Sequence, residues 1–191
     1  MMAQLQEDKY SLAPKKFNMW IFIFTSFMLF AAFTSGFIVY VGGKAHALNI
    51  ILPDSFREST VVILISSVTL FMASRAAKRL EFSKQKLFLW ITLGLGLVFF
   101  ALQMYSFGVL VKMDVHFINP NAAQSFIYVF VAAHLVHIIA ALLLLINTLK
   151  RSYSDVSQVR NLFNMEMTSI FWHFLDIVWI YLYVFLLLNQ Y

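Results

Sequence analysis

Two pairs of ionisable side chains lie inside long hydrophobic runs, where a charge is costly. His173 and Asp176 lie in the last run, 167–188, and His134 and His137 lie in the run before it. Imidazole and carboxylate groups can bind metals and transfer protons. At about 100° per residue, a helix places both members of each pair on one face. A strand would turn His173 and Asp176 to opposite faces, so the spacing predicts helices.

The last run is about 22 residues long, enough for a helix to cross a hydrocarbon layer of roughly 30 Å. One face of this helix carries Glu166, Ser169, Trp172, His173, Asp176, Trp179 and Tyr183. The other face carries Ile170, Phe171, Phe174, Ile177, Val178, Tyr181 and Phe185. Because a carboxylate exposed to lipid costs a few kcal/mol, we expect Asp176 to face protein or water. His173, one turn earlier, is its nearest candidate partner.

A haem or metal site would need histidines on more than one helix. The spacing of His134 and His137 puts both on one face, so they cannot lie on opposite sides of one haem. Of the other histidines only His173 lies in a predicted span, since His46 and His116 fall in loops. The pattern therefore favours packed histidines that bond to a neighbouring helix or to a lipid headgroup.

A proton pathway would need ionisable groups at several depths in the membrane. Asp176 is the only acidic residue well inside a predicted span, and one deep carboxylate makes a poor relay. No phosphate-binding loop, nucleophile triad or carboxylate pair is found in the sequence. We therefore predict no catalytic, cofactor-binding or metal-binding residue in this chain.

The composition is that of a membrane protein. Hydrophobic residues make up 61% of the chain and charged residues 12%, and the mean hydropathy is +0.79. A soluble domain of 191 residues has a different composition. The absence of cysteine excludes disulfides and thiolate metal sites. Lys and Arg are dispersed among short connections, so a nucleic-acid partner is not expected despite a pI of 9.5.

The predicted fold is all-α, a polytopic bundle in one transmembrane domain, 18–191, after a cytoplasmic tail, 1–17. Its five predicted spans are 18–41, 59–77, 87–111, 122–149 and 167–188. Hydroxyl and small residues along the second and third spans suggest close helix packing. The tail and the second and fourth connections contain 3, 5 and 3 Lys and Arg residues, against 2, 1 and 0 in the other connections and the C-terminus. The positive-inside rule then predicts an inside N-terminus and an outside C-terminus.

Three stretches resemble one protein family. Glu166 precedes WHFLDIVWIYLY at 172–183, and HLVHIIAA occupies 134–141. Together with LGLGLVFFALQMY at 93–105, these stretches are similar to subunit III of the haem-copper oxidases, which include cytochrome c oxidase and ubiquinol oxidase. With five spans the chain resembles the short form of that subunit. In the helix that corresponds to the first span of this chain, the family often carries a glutamate. This chain has Ser26 at the matching position, so a role of that carboxylate is not expected here.

The resemblance implies an accessory, non-redox subunit of a respiratory terminal oxidase in the inner membrane of a bacterium. Haem and copper would lie in the partner, catalytic subunit I, and this chain would support assembly, stability and proton-coupled oxygen reduction. Membrane phospholipids are further expected partners, and a bound phospholipid is a candidate ligand. Interhelical polar contacts or lipid contacts would be made by His134, His137, Glu166, Trp172, His173, Asp176 and Trp179. The alternatives are a subunit III-like partner of a nitric oxide reductase and a free-standing small transporter.

Overall fold

The computed structural model describes residues 2–42, 47–118, 120–154 and 157–190, with the side chains of the first helix described from Leu12 onward. His46, predicted in a loop, lies outside the described residues. Five helices follow one another along the chain: α1 Met2–Val41, α2 Asp54–Lys78, α3 Phe82–Lys112, α4 Ala122–Tyr153 and α5 Gln158–Asn189. The prediction of an all-α chain with five apolar helices is confirmed.

The helices are longer than the predicted spans. α1 extends back to Met2 through residues predicted as a tail, and its candidate membrane span is Leu12–Val41. α2 begins at Asp54 instead of residue 59, and Pro53, whose ψ of 142° is not helical, is its N-cap residue. Polar residues at these ends continue the helix beyond the hydrocarbon layer. The cytoplasmic location of 1–17 stays a prediction.

Consecutive helices run in opposite directions. α5 lies antiparallel to α2, since Trp179 bonds to Thr60 near one end and Gln158 bonds to the Ala77 carbonyl near the other. α5 is parallel to α1, where Lys16 pairs with Glu166 and Thr34 with Tyr181 in the same order along both helices. An alternating arrangement of this kind is what repeated membrane crossing requires. α5 packs against α1, α2 and α4, whereas α3 packs against α2 and α4.

Tryptophan rings join α5 to the more distant helix α3. The backbones of α3 and α5 are not adjacent within the described residues, but the buried rings of Trp172 and Trp179 cross the gap. Gly96 on α3 makes room for one of them, because a Cβ at this position would lie 2.7 Å from Trp172 Cη2 and 2.9 Å from Leu142 Cδ2. A glycine in mid-helix is therefore explained here by packing.

Basic side chains collect at one end of the bundle. The described Lys and Arg residues there, contributed by all five helices, are Lys15, Lys16, Arg75, Lys78, Arg79, Lys84, Lys86, Lys150, Arg151 and Arg160. Arg57 and Lys112 lie towards the opposite end. The helix order thus gathers residues that are scattered in the sequence into one basic end.

Candidate functional site

The α2–α5 polar interface consists of Thr60, Ser66, Ser67, Trp172, His173 and Trp179. The indole Nε1 of Trp172 donates to Ser66 Oγ at 3.1 Å, and that of Trp179 donates to Thr60 Oγ1 at 3.0 Å. Both indoles are almost fully buried, at 1% and 0% exposure. Since an indole has one donor and no acceptor, each is satisfied by a single bond.

The hydroxyls that receive these bonds use their own protons within α2. Ser66 Oγ donates to the Ile63 carbonyl at 2.7 Å, and Thr60 Oγ1 donates to the Phe56 carbonyl at 2.8 Å. Their lone pairs remain available for the indole N–H groups. Each hydroxyl is therefore both donor and acceptor, and the two bonds fix the register of α2 against α5.

Trp179 is surrounded by rings from three other helices. Phe56 of α2 is stacked on it, with centroids 6.0 Å apart and planes at 7°. Phe99 of α3 meets it edge to face at 5.1 Å and 89°. His134 of α4 lies 5.1 Å away. Aromatic pairs of this geometry add to the packing energy, so one side chain of α5 connects four helices.

His173 makes the third bond of the interface. Its Nδ1 lies 2.7 Å from Ser67 Oγ on α2 and 3.5 Å from Asp176 Oδ2 on the same helix. The side chain of Asp176 is buried, at 5% exposure, whereas that of His173 is 33% exposed. Neither carboxylate oxygen of Asp176 has a hydrogen-bond partner in the part of the chain that is described. Asp176 therefore faces protein beside His173, and His173 Nδ1 is the group within 2.7 Å of a hydroxyl on α2.

The two histidines of α4 differ from each other. His137 Nδ1 lies 2.8 Å from the Ala133 carbonyl and must donate to it, and its Nε2 lies 3.2 Å from Ser26 Oγ on α1. Ser26 also faces the Phe22 carbonyl at 2.7 Å, so one hydroxyl proton serves two acceptors when His137 is neutral. His137 thus links α4 to α1.

His134 is fully buried, and neither of its ring nitrogens has a hydrogen-bond partner among the described residues. Its neighbours are the rings of Phe30, Phe99 and Trp179, all within 6.3 Å between centroids. The bond to a neighbouring helix expected for this histidine is not found there. Its contacts are those of a packed ring.

These histidines do not fit a haem or a copper ion. No group of three His, Cys, Asp or Glu side chains in the described ranges is placed to hold a metal. The nitrogens of His137 are used by Ala133 and Ser26, and the ring of His134 is enclosed by three aromatic rings.

Other polar pairs between helices surround this interface. Glu166 forms a half-exposed ion pair with Lys16 of α1 at 2.5 Å. Gln85 of α3 and Asn161 of α5 form a buried pair in which each amide donates to the other, at 3.1 and 3.2 Å. Sequence reasoning missed this amide pair because both residues lie outside the predicted spans. Further interhelical hydroxyl and amide contacts include Ser55–Ser106, Ser59–Gln103, Thr69–Thr92 and Thr148–Thr168.

Comparison with known proteins identifies the bundle. The family model described as cytochrome c oxidase subunit III matches residues 11–190, which include the whole α2–α5 polar interface. The chain is 29% identical over 173 residues to cytochrome c oxidase subunit 3 of Alkalihalophilus pseudofirmus, covering 88% of this chain and 84% of the relative. It is 30% identical over 190 residues to cytochrome bo(3) ubiquinol oxidase subunit 3 of Buchnera aphidicola, covering 95% and 90%. The chain therefore belongs to the cytochrome c oxidase subunit III family.

Proposed function

We propose that this chain is the accessory, non-redox subunit III of a respiratory haem-copper terminal oxidase. It contributes to assembly, stability and proton-coupled oxygen reduction by the catalytic subunit I, which holds the haem and copper. The observation that carries this proposal is that the motif residues make hydrogen bonds between helices. Trp172, His173 and Trp179 all do so, as expected of residues that hold a bundle in one shape.

The orientation and location form part of the proposal. The basic end of the bundle faces the bacterial cytoplasm, so the start of α1 is inside and the end of α5 is outside. The membrane is then the inner membrane, in keeping with the bacterial oxidase subunits to which the chain is similar.

The surface available for partners is large and apolar, and α1 contributes most to it. Trp20, Phe24 and Phe27 of α1 are all more than half exposed. In the membrane this surface is covered by phospholipid or by other oxidase subunits, subunit I among them. Neither a nitric oxide reductase partner nor a free-standing transporter is favoured, because the relatives matched are oxidase subunits.

A pull-down tests the accessory role. The tagged full chain is purified from membranes in mild detergent, and the eluate is examined by optical spectroscopy and protein identification. We expect a haem-bearing subunit I in the eluate, with a haem spectrum that is the same after Trp179→Phe. Recovery of a colourless chain that is stable alone would contradict the proposal.

A further inference from the structure

A cavity of about 570 Å³ lies where α2 ends and α3 begins, at the basic end of the bundle. Its lining includes three cations, Arg75, Arg79 and Lys84, and one carboxylate, Glu81. These four side chains leave a net charge of +2 around the cavity. A net positive cavity at the membrane boundary attracts an anion.

The two arginines are the cations of the cavity that form no ion pair with its carboxylate. Arg75 and Arg79 are four residues apart, at the C-terminal end of α2, so both side chains project from one face. Neither forms an ion pair with a described residue. Glu81, in contrast, pairs with Lys84 at 2.8 Å. The Lys84 ammonium bonds to this carboxylate and, with Arg79 nearby, holds the pKa of Glu81 below its ordinary value.

The walls of the cavity become apolar towards the middle of the membrane. Phe71 lies one turn before Arg75 on α2, about 6 Å along the helix axis, and is 58% exposed. Phe88 lies one turn after Lys84 on α3 and lines the same cavity. Basic groups at the rim and aromatic groups one turn deeper match the order of headgroup and acyl chain in a phospholipid.

We propose that this cavity binds the phosphate of an anionic glycerophospholipid, with Arg75 and Arg79 as its ligands and Phe71 and Phe88 against an acyl chain. The planar guanidinium group suits a phosphate because it can donate two parallel hydrogen bonds to it. The site requires only that the chain lies in a membrane. It is therefore independent of the proposed accessory role.

Binding of soluble, short-chain lipids tests the site. The full chain, with any subunits that copurify, is delipidated in detergent and titrated with dihexanoyl phosphatidylglycerol, with dihexanoyl phosphatidylcholine and with inorganic phosphate at equal ionic strength. The variants are Arg75→Gln and Arg79→Gln. Lys78→Gln is the matched control, because it removes one charge from the same helix end and Lys78 does not line the cavity.

We expect phosphatidylglycerol to bind more tightly than the other two ligands. Each arginine variant should weaken it about fivefold, the effect of one cation near the membrane surface, and Lys78→Gln should weaken it less than about twofold. Melting temperatures without lipid serve as the check of folding. Equal binding of phosphatidylcholine or of inorganic phosphate, or an equal effect of Lys78→Gln, would overturn the proposal.

Discussion

The α2–α5 interface and the attachment of α1 represent two ways of holding a helix in a membrane bundle. Four side-chain hydrogen bonds join α2 to α5, two of them from almost fully buried indoles. α1 contacts α4 and α5 largely through rings, such as Phe37 against Phe185 at 5.3 Å. Its own polar links are those of Lys16, Ser26 and Thr34. In its most hydrophobic window 22% of residues are buried, against 44% for α5.

The difference between the two attachments follows from the lipid that surrounds the helices. In lipid, apolar side chains gain little by leaving the bilayer for a neighbouring helix, so close packing and hydrogen bonds determine which helices associate. The α2–α5 interface has both, whereas α1 leaves most of its apolar surface free for lipid or for another subunit. We therefore expect substitutions in the two regions to have unequal effects on the stability of the chain.

The largest difference is expected between two tryptophans. Trp179→Ala empties a space enclosed by α2, α3 and α4 and should lower the free energy of unfolding by about 3–5 kcal/mol. Trp20→Ala on α1 removes a ring that is 53% exposed and should change it by less than about 1 kcal/mol. Thermal unfolding in detergent measures both. Equal losses would show that the two regions are packed alike.

Two glycines of α3 give the next test. In Gly96→Ala the new methyl group meets Trp172 and Leu142, and overpacking of this kind costs about 1–3 kcal/mol. Gly94→Ala is the control, because a Cβ there has no neighbour within 4 Å; it should be neutral or stabilising by up to about 1 kcal/mol. The melting temperatures of the two variants should move apart, and a shared shift would refute the close contact of Gly96 with Trp172.

Two threonine-to-valine substitutions compare single hydrogen bonds. Thr60→Val leaves the buried Nε1 of Trp179 without a partner and should cost about 1 kcal/mol or somewhat more. Thr34→Val removes the 2.9 Å bond to Tyr181, a residue that is 47% exposed and not enclosed as Trp179 is, so its cost should be below about 0.5 kcal/mol. The same unfolding assay applies. A larger cost for Thr34→Val would mean that the α1 bond is the more important one.

The smallest effect is expected at the exposed end of α1. Lys16→Gln removes the ion pair with Glu166 and should cost between zero and about 1 kcal/mol, less at high salt. Lys15→Gln removes the same charge from the next position, where no ion pair is found among the described residues. Unfolding at low and high salt separates the pair from net charge. A salt-independent loss in Lys16→Gln would argue against an ionic origin.

The helices and part of the candidate site could be predicted from the sequence. Hydropathy predicted five spans, and helical periodicity placed Trp172, Asp176 and Trp179 on one face, where all three are buried. Phe171 and Val178, assigned to the opposite face, are buried as well. They lie on the sides of α5 where other helices pack, and the periodicity of one helix does not reveal how many neighbours it has.

Individual bonds could not be predicted, because they depend on the order of helices in space. His173 lies 3.5 Å from Asp176, the partner suggested by spacing, but its hydrogen bond to another helix is with Ser67, 106 residues earlier. His134 and His137 share one motif, yet only His137 meets a hydroxyl on another helix. Sequence spacing identifies side chains that share a face, but the neighbour on that face comes from the fold.

The structural role of the α2–α5 interface is tested most directly by measuring the subunit composition of an oxidase in which this interface is weakened. The double variant Trp172→Phe/Trp179→Phe removes both indole bonds and keeps aromatic side chains in place. Tagged subunit I is purified, and the amount of this chain is measured relative to haem, together with the haem spectrum. We expect less of this chain per haem and an unchanged spectrum. A full amount of the chain with an altered spectrum would contradict a purely structural role for the interface.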